Sequence, residues 1–165
     1  MAYNVNTDLV RGDDLFLYVF DTTGVTAFSG IPSGTTVVAF ATSCSLQIDG
    51  ETIDTSNKMS CVWNSNLAGK NGYTVSADAL YTDANGATSF DTLLGKMVAG
   101  NAVGWAIAPA SEHSGSCTTN EFTIDKTNAI AAGYGLITSL SLNAGNNEVA
   151  SCSVTITGSG ELITS

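Results

Sequence analysis

Few side chains in this sequence could do covalent or acid–base chemistry, and none falls into a catalytic pattern. The sole histidine, His113, sits in the polar stretch SEHSGS at 111–116. A Ser-His-Asp site needs a serine held beside the imidazole, and there is no Gly-x-Ser-x-Gly elbow to supply one. His113 therefore reads as a solvated loop residue. Three carboxylates bunch in DGETID, at Asp49, Glu51 and Asp54. A calcium loop of the EF-hand type needs acids at alternating positions before its glycine. Here Gly50 comes second, so the segment reads as solvated acid. Arg11-Gly12-Asp13 reads as a charged turn ahead of an apolar run. Cys44, Cys61, Cys117 and Cys152 form no C-x-x-C pair and no zinc spacing. The N-terminal sequence carries no secretion signal, so they read as free thiols. No enzyme activity, cofactor or metal is expected.

The totals narrow the function further. A chain of 165 residues is long enough for one domain burying roughly 70% of its unfolded surface, and a single domain over 1–165 is expected. With 44% hydrophobic residues it should fold rather than remain disordered. Charged residues make up 12%, about half the usual share, so Ser, Thr, Asn, Gly or partner chains must cover the surface. The net charge is −10. Only Arg11, Lys58, Lys70, Lys96 and Lys126 could neutralise phosphate, and they are scattered, which argues against nucleic-acid binding. No aromatic and basic residues interleave in the manner of a base-stacking surface. No stretch approaches the ~20 apolar residues of a membrane span, so no membrane insertion is expected and synthesis in a cytoplasm is.

The periodicity is mostly that of strands. Leu15–Phe20 is apolar on both faces and reads as a central strand. Val37–Asp49 reads as one long strand with a single buried face, Val38, Phe40, Cys44, Leu46 and Ile48. Gly50–Gly72 is polar and reads as a long loop or extended hairpin, and a long connection of this kind is often functional. Tyr73–Tyr81 alternates again. Phe90, Leu93, Leu94, Met97 and Val98 then form a helical stripe. Thr88 and Asp91 suggest a capping box, and Gly100 a stop. Val103, Trp105 and Ile107 share a strand face. The polar insert Pro109–Gly133 includes a possible strand at Phe122–Ile124. A final hairpin follows, with Leu136, Leu140 and Leu142 expected inward on one arm and Ala150, Cys152, Val154 and Ile156 on the other. The fold expected is mainly β: a β-sandwich or partly open barrel with one short flanking α-helix.

The second face of these strands is unusual. It is almost all small hydroxyls with little charge, and the chain has too few Lys and Pro to guard exposed strand edges. The composition points to edges that pair with other copies.

Four blocks resemble the major tail tube proteins of long-tailed bacteriophages, in the family's order. They are TSCSLQIDGETIDTSNK (Thr42–Lys58), YTVSADALY (Tyr73–Tyr81), SFDTLLGKMVAGNAVGWAI (Ser89–Ile107) and GLITSLSLNAGNNEVASCSVTITGSGEL (Gly135–Leu162). The regions Thr22–Ser33 and Ser111–Ala131 match less clearly, and Tyr73 stands where Trp is common. The resemblance implies a structural virion protein with the phage tail-tube-like fold, forming hexameric rings that stack into a tube, with strands merged into one inner barrel. The Gly50–Gly72 loop would reach a neighbouring ring or subunit through Glu51, Ile53, Asp54, Lys58, Trp63, Leu67 and Lys70. Genomic DNA would pass through the lumen without specific binding. A tape-measure protein would set the length, and a tail terminator and baseplate or distal tail proteins would hold the ends. In that setting the hydroxyl faces suit a smooth, wet, acidic lumen. The candidate lumen residues are Ser43, Ser45, Gln47, Asp49, Ser76, Asp78, Ser139 and Ser141. Alternation defines two faces and leaves open which of them turns inward.

Two other readings share parts of this pattern. One is the tube of a contractile tail or related secretion machine, which differs in having a sheath outside. The other is a monomeric carbohydrate-binding or adhesin β-sandwich, which would use an exposed aromatic platform such as Trp63.

Overall fold

The computed structural model describes residues 12, 15–21, 25–32, 35–38, 41–59, 62–81, 88–110 and 123–164. His113, Arg11, Asp13, Cys61, Cys117 and Phe122 lie outside them. In chain order the elements are β1 (Leu15–Phe20), a 3-10 turn (Phe28–Gly30), β2 (Thr36–Val37), β3 (Ala41–Asp54), β4 (Asn66–Leu80), α1 (Phe90–Ala99), β5 (Val103–Pro109), β6 (Ala131–Asn143), β7 (Ser151–Gly158) and β8 (Ile163–Thr164). The strands form one antiparallel sheet in the order β2-β1-β5-β6-β7-β4-β3, with β8 on β6. The mainly β, partly open architecture with one flanking helix is the one expected.

Two cores hold it. Strands β1 and β5 contribute to both, because both of their faces are apolar. Leu17, Val19, Val103, Trp105 and Ile107 face Val75, Ala77, Ala79, Val154, Ile156 and Leu93. On the other side Tyr18, Phe20, Ala106 and Ala108 pack under Val25, Ile31, Ile124 and Ala129. Close packing there requires a missing side chain. Gly104 pairs with Phe20 across the β1–β5 ladder, and a Cβ on Gly104 would overlap the Phe20 ring. On the inner side Tyr73 leans on Trp105, centroids 5.6 Å apart, and its hydroxyl donates to the Tyr134 carbonyl at 2.7 Å.

Several expectations need correcting. The expected strand Val37–Asp49 divides its pairing between the two ends of the sheet, and its expected inward residue Phe40 lies outside the described residues. Val37 pairs with Tyr18 of β1, Val38 bridges Thr88, and β3 begins only at Ala41. Strand β1 has a neighbour on each side and is buried on both faces, as expected, and it stands second from the end of the sheet because only the two-residue β2 lies outside it. The helix starts at Ser89 rather than through a Thr88–Asp91 box. Ser89 takes the cap position without a side-chain bond, while Thr88 is buried and tied to Val38. Its end is as expected. Gly100 has φ 66°, and the N–H groups of Gly100 and Asn101 bond the carbonyls of Met97 and Lys96, a Schellman closure.

The last correction concerns β6. Leu136 is 46% exposed, whereas Ile137 is 7% exposed and buried. A bulge between Ile137 and Ser139 explains this. One extra residue reverses the alternation, so Ile137 faces Ile156 while Leu140 and Leu142 face Val154 and Cys152.

Candidate functional site

The β3–β4 connection is an extended hairpin, not a loop. The ladder runs from Ala41 opposite Ala79 to Asp54 opposite Asn66, with shifts near each end. Continuing through β7 to β6, four strands align their polar positions in rows. Ser45 pairs with Ser76, Ser76 with Thr155, and Thr155 with Ser139. Ser43 pairs with Asp78, Asp78 with Ser153, and Ser153 with Ser141. Gln47 pairs with Thr74, Thr74 with Thr157, and Asp49 with Gly72. Strand alternation therefore places all eight expected residues on one face, with Cys44, Leu46, Val75, Ala77, Val154 and Ile156 on the other.

The polar face is bonded to itself. Ser43 donates to Asp78 Oδ2 at 2.8 Å. Gln47 Nε2 donates to Asp49 at 3.0 Å. Ser141 and Ser153 share a bond of 2.7 Å, and Thr138 and Thr157 one of 2.9 Å. Within the rows from Ser43 to Asp49 the ionisable groups are Asp49 and Asp78, both acids, while Glu51 and Lys70 lie further along the two arms toward the hairpin tip. Sequence reasoning missed Thr74, Ser153, Thr155 and Thr157, which complete the rows. The alternation Ser151-x-Ser153-x-Thr155-x-Thr157 carried that signal.

Beneath this face the thiols of Cys44 and Cys152 are free. Burial pushes both up from their ordinary range, and the Asp78 charge adds to this at Cys152. Both are small apolar core groups, as expected.

The seven expected loop residues lie along the hairpin. Glu51, Ile53 and Asp54 are on the β3 arm, Leu67 and Lys70 on the β4 arm, and Lys58 and Trp63 at the tip. Ile53 pairs with Leu67, and both are exposed. Three backbone N–H groups near the tip are bonded within it. Thr55 N–H donates to the Ser65 carbonyl at 2.8 Å, Ser56 N–H to Asp54 Oδ1 at 2.8 Å, and Met59 N–H to Asn57 Oδ1 at 2.8 Å. The Ser56 bonds hold the Asp54 carboxyl below its ordinary range. Met59, Val62 and Trp63 are left on the outside, Trp63 82% exposed. The acids of DGETID are strung along β3 at about 3.3 Å per residue, which spreads them beyond one ion's reach. Among the described residues no three potential ligands cluster.

Among the described residues the four strands β3, β4, β7 and β6 leave two edges open. One is the outer side of β3, where the strand order ends. The other is β6 beyond Gly135, where β5 stops pairing and only β7 remains.

Solved structures share this fold at low identity. The tail of an empty gene transfer agent particle with C6 symmetry matches with TM-score 0.66 and 19% identity, over 95% of this chain and 99% of that chain. The SPP1 tail tube matches with TM-score 0.63 and 8% identity, over 95% and 80%. The baseplate of the anti-feeding prophage, 6-fold symmetrised, matches with TM-score 0.57 and 12% identity, over 96% and 97%. No curated protein matches by sequence. Residues 9–164 match the model of the phage tail tube protein family, and the chain belongs to that family.

Proposed function

We propose that six copies of this chain close into a ring by pairing β3 of one copy with the free half of β6 of the next, and that rings stack into a tube conducting DNA. The observation that carries this is the four-stranded sheet with two open edges. In the order β3-β4-β7-β6 neighbours alternate in direction. A rotated copy therefore meets β6 with an antiparallel β3, and closure removes both of these edges. Four strands from each of six copies give a twenty-four-stranded wall. The C6 symmetry of the similar gene transfer agent tail supports the number six.

The wall has one apolar face, which the rest of the subunit covers except toward the β3 edge, and one hydroxyl face. The hydroxyl face lines the lumen. Along the rows from Ser43 to Asp49 its charges are the carboxylates Asp49 and Asp78, which repel phosphate over a Debye length of ~10 Å at 0.1 M salt. Those rows offer DNA no cationic foothold. The hairpin tip with Met59, Val62 and Trp63 reaches an adjacent ring. A tape-measure protein, a terminator and distal tail or baseplate proteins are the partners at the lumen and ends, in a virion tail assembled in the host cytoplasm. The protein is structural, not catalytic.

A second reading has its own support. The fold also matches a contractile injection system baseplate, so a tube within a sheath uses the same subunit geometry. The family match leaves the carbohydrate-binding sandwich and a His113 hydrolase without support.

The test is negative-stain electron microscopy of the purified chain at rising concentration, with mass by light scattering. Sixfold rings or hollow tubes are expected. Monomers at every concentration, including with tail-initiating proteins added, would overturn the reading.

A further inference from the structure

Helix α1 has one apolar flank that its own subunit does not use. Leu93 is fully buried in the inner core. Lys96, to one side of it, forms an ion pair with Asp21 just after β1. On the other side Leu94, Met97 and Val98 are exposed, Val98 at 80%. A charged or polar flank would be the ordinary choice for solvent.

The position of the helix says what this flank meets. The chain leaves β4 at Leu80, which pairs with Ser151, itself opposite Asn143. Tyr81 then stacks edge-on against Phe90 at the helix start. The chain enters β5 at Val103, opposite Gly135. The helix thus connects the two ends of the stretch of β6 that β5 does not pair, Leu93 joins the inner core, and β6 is the strand it packs against. That half of β6 is one open edge of the sheet.

The opposite open edge has the matching deficit. On the same apolar face of β3, Cys44 and Leu46 are only half-buried and Ile48 is 56% exposed.

We propose that α1 is an inter-subunit clamp: its Leu94–Met97–Val98 flank covers the Leu46–Ile48 strip on β3 of the neighbouring copy in the ring. The inference rests on the ring reading above and adds a second contact to it. Both apolar sets lie on the same face of one sheet, at its two ends. Any edge-to-edge joint of β6 with β3 carries that face across and brings the helix beside the neighbour's strip. Backbone pairing alone is indifferent to sequence and prone to register slips. An apolar clamp fixes which strand joins which and at what register.

The test uses assembled wild-type tubes and two variants of the full chain. Val98→Asp changes an exposed side chain, so the folded monomer should keep its circular dichroism and melting temperature. Its ring-forming concentration should rise about tenfold or more. In the second variant, Val98→Cys with Ile48→Cys in a chain whose four native cysteines are replaced by alanine, a short bismaleimide should give a ladder of linked copies up to six on a denaturing gel, absent from either single-cysteine chain. Tubes forming from Val98→Asp at wild-type concentration, or a paired-cysteine tube that yields no ladder, overturns the clamp and leaves the ring standing. Wild-type protein that never forms rings overturns the ring reading itself.

Discussion

Ser43 Oγ donates a 2.8 Å hydrogen bond to Asp78 Oδ2 across the β3–β4 pair, so one of the two carboxylates on the hydroxyl face is held in place by its opposite neighbour. The other, Asp49, is held by Gln47. Fixed acids among neutral hydroxyls make these rows repulsive to phosphate.

Reversing those charges should turn the wall sticky. Asp49→Lys with Asp78→Lys should leave tube assembly intact, because both side chains are exposed. In a reconstituted phage it should slow DNA release, read by dye binding to ejected DNA. Raising salt from 0.05 to 0.5 M, both rough working values, should shrink the difference as screening shortens. Unchanged ejection at low salt would sink the lumen assignment.

Gly104→Ala tests the outer core. The new methyl would occupy the space of the Phe20 ring, and overpacking a tight core costs about 1–3 kcal/mol. Urea unfolding of the monomer should show that loss. Phe20→Leu in the same chain should recover part of it. Independent, additive effects would mean that the ring does not rest on this glycine.

Much of this was legible in the sequence because one face of each long strand is buried. Tyr73, Val75, Ala77 and Ala79 had to point inward together, which set Ser76 and Asp78 outward. The helix was legible from Phe90 and Leu93 and from the glycine at its end. The β6 bulge was not. Leu136, Leu140 and Leu142 alternate perfectly on paper, and only pairing with β7 shows that Thr138 is extra and that Ile137 takes the inward place. Nor was the split before β3 visible, because Val37 and Val38 continue the alternation while their partners, Tyr18 and Thr88, are distant in sequence. For Gly50–Gly72 the sequence offered a long loop and an extended hairpin and did not decide between them. The hairpin arms are exposed in one subunit, and a segment that buries nothing at home has no buried periodicity.

Trp63→Ser tests stacking separately from ring closure. Trp63 touches little of its own subunit, so stability should change by less than about 0.5 kcal/mol. Rings should persist while the concentration needed for tubes rises tenfold or more, which is the loss of roughly 1.5–3 kcal/mol of burial per contact. Electron microscopy separates single rings from tubes. Normal tubes from Trp63→Ser would move the stacking contact off the tip.

Tyr18→Phe tests the buried hydroxyl of the outer core. The Tyr18 side chain is fully buried, and its oxygen has no partner among the described residues. Burial, aided by the Asp125 charge, pushes its pKa up from 10.0 to about 12. The unfolded chain therefore releases this proton first as pH rises. Stability should be fully present below about pH 10, fall between pH 10 and 12, and level off above, by about 1–3 kcal/mol from this group. Phenylalanine removes both the slope and the unpaired hydroxyl. The variant should match or slightly exceed wild type at pH 7 and pull ahead as the pH passes 10. Thermal melts at pH 7, 9, 10 and 11 read this directly, and parallel curves for the two proteins would show that Tyr18 has a solvent path to its oxygen.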